Sequence, residues 1–320
     1  MFSQIISWLK PVSLSQLARQ AQILQRTRLF VSYYYYVTPL LGAMFLGAGL
    51  HNKPNFEPIY PLYWSTYFEL SSETTILLIK VALVVSSLAA AFFHQHRWSR
   101  ILFFVALWQV HALESSFGHW NHQWYTWLYT SFIFIFLPNI WESKDTKKIR
   151  DSLLVIWTAQ AFVMLTYTMA GINKFVKVFE QYMAGEVHGL ARDAFLYQTA
   201  WWVPQLQQPA YFINLIAQFP NLAWLCYASL HFIQLFALWT MVRTSLQPLW
   251  TFLLIMFHLG TFVSMGILFT EHLLLLLVLF LPTPLILGRL TWQRVLFDIP
   301  VVGWVLSHAK VHTRRYFPRP

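Results

Sequence analysis

The sequence predicts an all-α, polytopic transmembrane helical bundle of about eight spans, with amphipathic interfacial helices at its edges. Three observations carry that reading. Of the 320 residues 57% are hydrophobic and only 11% are charged, where soluble domains carry about 25% charged residues, so too few charges exist to clothe a water-facing surface. Aromatic residues make up 18%, and many Trp and Tyr stand at the ends of apolar runs, as in the interfacial belts of membrane helices. Lysine and arginine gather on alternate sides of those runs.

A spanning helix takes about 20 mostly apolar residues. Before the first such run, residues 1–28 place Leu14, Leu17, Ala21 and Leu24 at helical spacing, with Arg19 and Arg26 between them. This predicts a cytoplasmic amphipathic helix lying on the membrane. The transmembrane bundle is expected over 29–290, with spans at 29–50, 74–93, 98–117, 122–141, 151–173, 222–242, 249–268 and 271–288. His111, Glu114 and a short polar turn interrupt the third and fourth. The longest non-spanning stretch, 174–221, holds Phe179, Tyr182, Met183, Glu186, Val187 and Leu190, then Trp201, Trp202 and three prolines. An outer-face amphipathic helix followed by an irregular segment is expected there, since a connection this long is usually functional. Residues 291–320 form a cytoplasmic basic tail, opened by Trp292, Val295, Leu296 and Ile299 at helical spacing. No repeat or low-complexity linker interrupts the chain, so 1–320 is read as a single integral membrane domain.

Charge sets the orientation. With the N-terminus inside, seventeen of the 22 Lys and Arg fall in cytoplasmic segments; only Lys53, Lys174, Lys177 and Arg192 fall opposite, and Lys80 lies in a span. The positive-inside rule therefore expects both termini in the cytoplasm. A net charge of +10 then reads as topology and contact with anionic membrane lipids rather than nucleic acid. Cys226 is the only cysteine, which excludes an intrachain disulfide and a cysteine metal site. The first twenty residues lack a continuous apolar core, so no cleavable signal peptide is expected. No phosphate loop, nucleophile elbow or metal-ligand spacing is present; His94 and His96 flank Gln95 without a further ligand.

A charge inside a bundle costs at least about 2.5–3.5 kcal/mol at mid-helix, so ionisable residues in apolar runs are the best functional signal. Lys174 ends the fifth span in Tyr167–Phe175, after the small pair Ala170 and Gly171, which allow close helix approach. A lysine in apolar surroundings loses its hydration and becomes available as a neutral general base. Trp120, Asn121 and His122 form a short outer turn, expected on the same side as Lys174. His111 and Glu114 are three residues apart and share one helix face. His258 sits in the seventh span; His231, in the sixth, makes a weaker case. Each has a plain structural reading as well: a snorkelling lysine at a helix end, a solvated turn histidine, a buried ion pair, an interhelical hydrogen bond.

Together these residues resemble a known family. Ala170-Gly171-Ile172-Asn173-Lys174 is similar to the Ala-Gly-x-x-Lys motif of vitamin K-dependent gamma-carboxylase and its bacterial relatives, the HTTM-domain proteins. Trp120-Asn121-His122 resembles that family's Trp-Asn-Asn-His segment, one residue shorter, and Phe257-His258 with Ser264-Met265-Gly266 resembles its histidine-bearing late helix. The three occur in the family's order, loosely covering 110–270. Asn173 stands where the family has a second lysine beside the base.

The resemblance implies a membrane enzyme of the carbon–carbon lyase class. It would couple oxygenation and epoxidation of a reduced quinone, vitamin K or a menaquinol type, to proton abstraction and carboxylation of a glutamate-type substrate, a peptide or protein. O2 and CO2 would be co-substrates, and no metal is implied. Carried over, Lys174 is the catalytic base and His122 lies by the reacting quinol oxygen. Asn121, Trp120, His258, His111, Glu114 and Gly171 line the substrate or cofactor pocket, towards the extracytoplasmic face. The large C-terminal extracytoplasmic region with which the animal enzyme holds its propeptide-bearing substrates is not among these residues, so protein carboxylation of the animal type is not expected. The alternatives are a non-catalytic lipid- or quinone-binding membrane protein or scaffold, and a proton pathway through His111, Glu114, His231 and His258.

Overall fold

In a computed structural model, residues 17–47, 60–117, 124–142, 145–205, 211–267, 269–286 and 291–303 are described. The fold is all-helical, 81% helix, with no strand among these residues. Two compact units divide it: Met1–Phe162 with Leu277–Leu285, and Val163–Leu276 with Ile286–Pro320. Two of the boundaries, at 162/163 and 276/277, fall inside helices.

The first unit contains α1 (Leu17–Gly47), the short α2 (Tyr63–Tyr67), α3 (Ser72–Phe93), α4 (Arg97–Ser116), α5 (Tyr125–Phe134) and the opening of α6 (Thr146–Met183). Helix α3 begins where a cap chemistry demands it. Ser71 accepts a hydrogen bond from the Thr74 backbone N–H at 3.2 Å, and Glu73 lies in the first turn against the positive helix end. Its inward face is Thr75, Ile79, Leu83, Ser87, Ala90 and Ala91, mostly small, while its exposed face is Leu77, Val81, Val85, Leu88 and Phe92. Apolar residues on the outside and small or polar ones inside invert the soluble pattern. Helix α1 packs on that small face: Thr38 donates to the Ser87 carbonyl at 3.1 Å, and Gly42 leaves room for the Ser87 hydroxyl. Tyr34 stacks on Trp127 and meets Phe134 edge-on at 4.5 Å, with its hydroxyl 3.1 Å from Ser131 Oγ.

Two guanidiniums hold the end of α5. Arg28 of α1 donates to the Ile140 and Trp141 carbonyls at 2.6–3.0 Å, and the buried Arg100 of α4 donates from Nη1 to those of Phe134 and Leu137. The Phe134 carbonyl, in the last turn of α5, also accepts from the Leu137 N–H, and the other three carbonyls belong to the chain just beyond the helix. The chain past Phe134 accordingly runs as turns, and the helix expected over 122–141 is only ten residues long.

The second unit contains the rest of α6, then α7 (Ala194–Gln205), α8 (Tyr211–Gln218), α9 (Pro220–Leu235), α10 (Trp239–Val242), a 3-10 turn (Thr244–Leu246) and α11 (Gln247–Met265). The start of α12 (Thr270–Phe280) and α13 (Trp292–Asp298) complete it. Prolines open α9 and α11, where the missing N–H costs nothing. Gly266, at φ 71°, closes α11 in the left-handed conformation that glycine takes without strain.

Ser72–Phe93, Thr146–Met183 and Thr244–Met265 are long and apolar enough to cross a membrane, which points to membrane association. Several expected boundaries move. The described part of 1–28 does not form a separate helix: α1 runs unbroken from Leu17, because Leu24 packs with Ile140 and Ile149 and Arg28 is tied to the α5 end. The fifth run does not stop at 173, since α6 continues to Met183. Most of the irregular segment expected before 221 is helical, as α7 and α8. The run at 222–242 breaks at Phe236–Leu238, where the Leu238 N–H donates to Thr168 Oγ1 at 2.9 Å and Trp250 takes the Ile233 carbonyl. A short helix, α13, opens 291–320 as the spacing suggests.

Candidate functional site

Three residues one or two turns apart define a face of α6 in the second unit: Tyr167, Gly171 and Lys174. Gly171 sets the geometry. A Cβ there would lie 2.6 Å from Leu235 N and 2.9 Å from Gln234 C. Only glycine lets α6 approach the α9 backbone this closely, and the approach brings the buried Gln234 side chain within reach of the lysine. Lys174 Nζ donates to Gln234 Oε1 at 2.8 Å and stands 5.7 Å from the Phe257 ring centroid, a cation–π distance. Gly171 therefore serves the close packing of α6 on α9.

The sequence expects this amine to be sheltered. Ile172 to Lys177 are all exposed along their side chains, while the Lys174 amine itself turns in, towards Gln234. The side chain runs along the surface and delivers its amine inward.

Seven residues earlier, Tyr167 OH lies 2.7 Å from His258 Nε2, and both residues are buried. With the phenol donating, the neutral imidazole carries its proton on Nδ1, and that Nδ1 has no hydrogen-bond partner among the described residues. The His272 ring lies 5.7 Å from that of His258, and its Nδ1 is likewise unpaired among the described residues. Phe269 meets both rings edge-on at 5.4 and 6.0 Å. His231 differs: its Nδ1–H donates to the Tyr227 carbonyl four residues back, which makes it a helix-internal bond.

The other expected site residues lie in the first unit or outside the described residues. His111 and Glu114 belong to the first unit, where Nδ1 and Oε2 are 3.9 Å apart and the imidazole stacks on Tyr125 at 4.8 Å. Trp120, Asn121 and His122 lie outside the described residues. No group of three or more His, Cys, Asp or Glu able to hold a metal occurs among the described residues.

Tyr167, Gln234 and His272 do not stand out in the sequence reading. His272 carries a signal, as an ionisable residue opening a leucine-rich apolar run. Tyr167 and Gln234 carried none, because a polar group at a helix interface looks the same in sequence as one facing outwards. No family model matches this chain, and neither a curated protein nor a solved structure matches it.

Proposed function

We propose that the protein is a multi-pass membrane enzyme with eight spans and both ends in the cytoplasm, handling a reduced quinone in the manner of vitamin K-dependent carboxylase. One observation carries the reading. Lys174, from the Ala170–Lys174 motif, and the Phe257-His258 pair, from the late helix, meet across Gln234 and Phe257 although they lie over eighty residues apart in sequence. Helical segments match the eight apolar runs in order, which supports the count, although among the described residues only three are both long and apolar enough to cross a membrane.

The residues fit a quinol-type ring on physical grounds. His258 Nδ1 and His272 Nδ1 are buried polar atoms in need of partners, flanked by Phe257 and Phe269, and an aromatic ring bearing hydroxyl or carbonyl oxygens supplies both the polar atoms and the apolar faces. Such a ring, when bound, supplies the oxygen-dependent chemistry that turns a weak base into a strong one. For the chain's part, His258 Nδ1–H orients one ring oxygen, Tyr167 fixes the imidazole tautomer, and Lys174 Nζ accepts a proton in its neutral form. The acceptor is a glutamate-type carboxyl substrate.

The test is oxygen uptake by the purified protein given menaquinol or reduced vitamin K, with labelled CO2 to follow carboxylation. Uptake is expected in the wild type, with a loss of about a hundredfold or more in Lys174→Ala of unchanged helicity. Wild-type uptake by that variant would overturn the proposal. The exposure of the Lys174 side chain favours a second reading, a quinone- or lipid-binding protein without catalysis; there quinone quenches tryptophan fluorescence but no oxygen is consumed.

A further inference from the structure

The first unit contains an open cavity of about 380 Å³ between the turn joining α3 to α4 and the end of α5. Its polar lining is Gln95, His96, Arg97, Arg100 and Asn139, and Phe136 forms one wall. No carboxylate lines it among the described residues.

Three independent features there ask for an anion. Helix α4 opens at Arg97 without a side-chain cap on its first-turn N–H groups, since His96 makes no such bond. The exposed Arg97 guanidinium lies 5.7 Å over the Phe136 ring and enters no ion pair among the described residues. Arg100 is only 2% exposed, and while its Nη1 holds the Phe134 and Leu137 carbonyls, its Nε has no partner among the described residues. Arg100 lines the cavity, and a buried, charged donor left unsatisfied on it is costly.

We infer that this cavity binds a phosphate group. Two guanidiniums and an open helix N-terminus are the arrangement that phosphate oxygens fill, with paired N–H donors and a favourable dipole. The surroundings indicate where the phosphate comes from. Phe136 lines the cavity, Trp98 stacks on the lining His96 and Phe93 lies against Trp98, all three exposed, an aromatic rim of the kind that sits at headgroup depth. An anionic phospholipid would place its phosphate between Arg97 and Arg100 and its glycerol and chains along Phe136. A soluble phosphate or phosphate ester would use the same donors without the apolar wall. Neither source depends on the quinone reading, which rests on the other unit.

Short-chain phosphatidylglycerol, short-chain phosphatidylcholine and inorganic phosphate, titrated separately into the purified full chain with thermal unfolding as the readout, separate these cases. Saturable binding of phosphatidylglycerol about tenfold tighter than phosphatidylcholine is expected. Arg97→Gln should weaken it about tenfold, while Arg150→Gln, far along the sequence and paired with Asp151, leaves it unchanged. Inorganic phosphate binding as tightly as phosphatidylglycerol, and equally sensitive to Arg97→Gln, supports the site with a soluble source. Three results would overturn the inference: neither phosphatidylglycerol nor phosphate stabilises the protein above phosphatidylcholine, Arg97→Gln binds like wild type, or Arg150→Gln weakens binding as much as Arg97→Gln.

Discussion

His94 caps α3 as an enclosed ring, with its Nδ1–H donating to the Ala91 carbonyl and its Nε2 accepting from the Ser32 hydroxyl at 2.9 Å. Burial holds its pKa below the ordinary 6.5; the Ala91 bond acts against this and nearby Arg100 adds to it. Above the ordinary value the folded and unfolded chains both carry neutral imidazole and His94 imposes no penalty. As the pH drops below that value, the unfolded chain takes up a proton that the folded one refuses, and stability falls. Thermal midpoints should therefore decline from about pH 7.5 to about pH 5, and the decline should be shallower in His94→Gln; an identical slope would remove His94 as a contributor. At this scale the sequence revealed the residues whose type is rare in their surroundings. Lys174 and His258 stood out as ionisable groups in apolar runs. The bond partners Tyr167 and Gln234 did not, because only the packed helices decide which polar side chain on α6 or α9 points inward.

Helix α6 shows how one missing side chain organises an element. Gly171 permits backbone contact with Gln234 and Leu235, and those contacts place the Lys174 partner. Gly171→Ala puts a methyl carbon within 3 Å of backbone atoms that no side-chain rotation can move away. The expected cost is about 1–3 kcal/mol of overpacking, seen as a lower unfolding temperature; an unchanged midpoint would show that α9 shifts freely. Element existence was legible almost throughout, because apolar run length fixes it, and starts such as Ser71 and Pro220 carry local signals. Ends were less so. The break after Leu235 and the short α5 are made by Thr168, Trp250, Arg28 and Arg100, side chains distant in sequence that compete for backbone groups.

At the scale of the whole molecule, the inside-out surface of α3 is what ties it to a bilayer. Its 22 residues rise about 33 Å, close to the hydrocarbon thickness of about 30 Å. Ser71 and His96, just beyond its ends, should then face opposite compartments. In a Cys226→Ser background, Ser71→Cys is expected to react with an impermeant maleimide added to intact cells and His96→Cys only after lysis; labelling of both from one side would refute the orientation derived from the lysine and arginine count. The arginine-held end of α5 has a bearing on how the chain assembles. Arg28, Arg100 and the carbonyls they grip all precede residue 142, so this joint can close while the ribosome is still making α6. The bond from Gln160 to Thr283 joins residues 123 positions apart and waits for nearly the whole chain. Biogenesis of the first unit thus has an early and a late stage, and the guanidinium joint belongs to the early one.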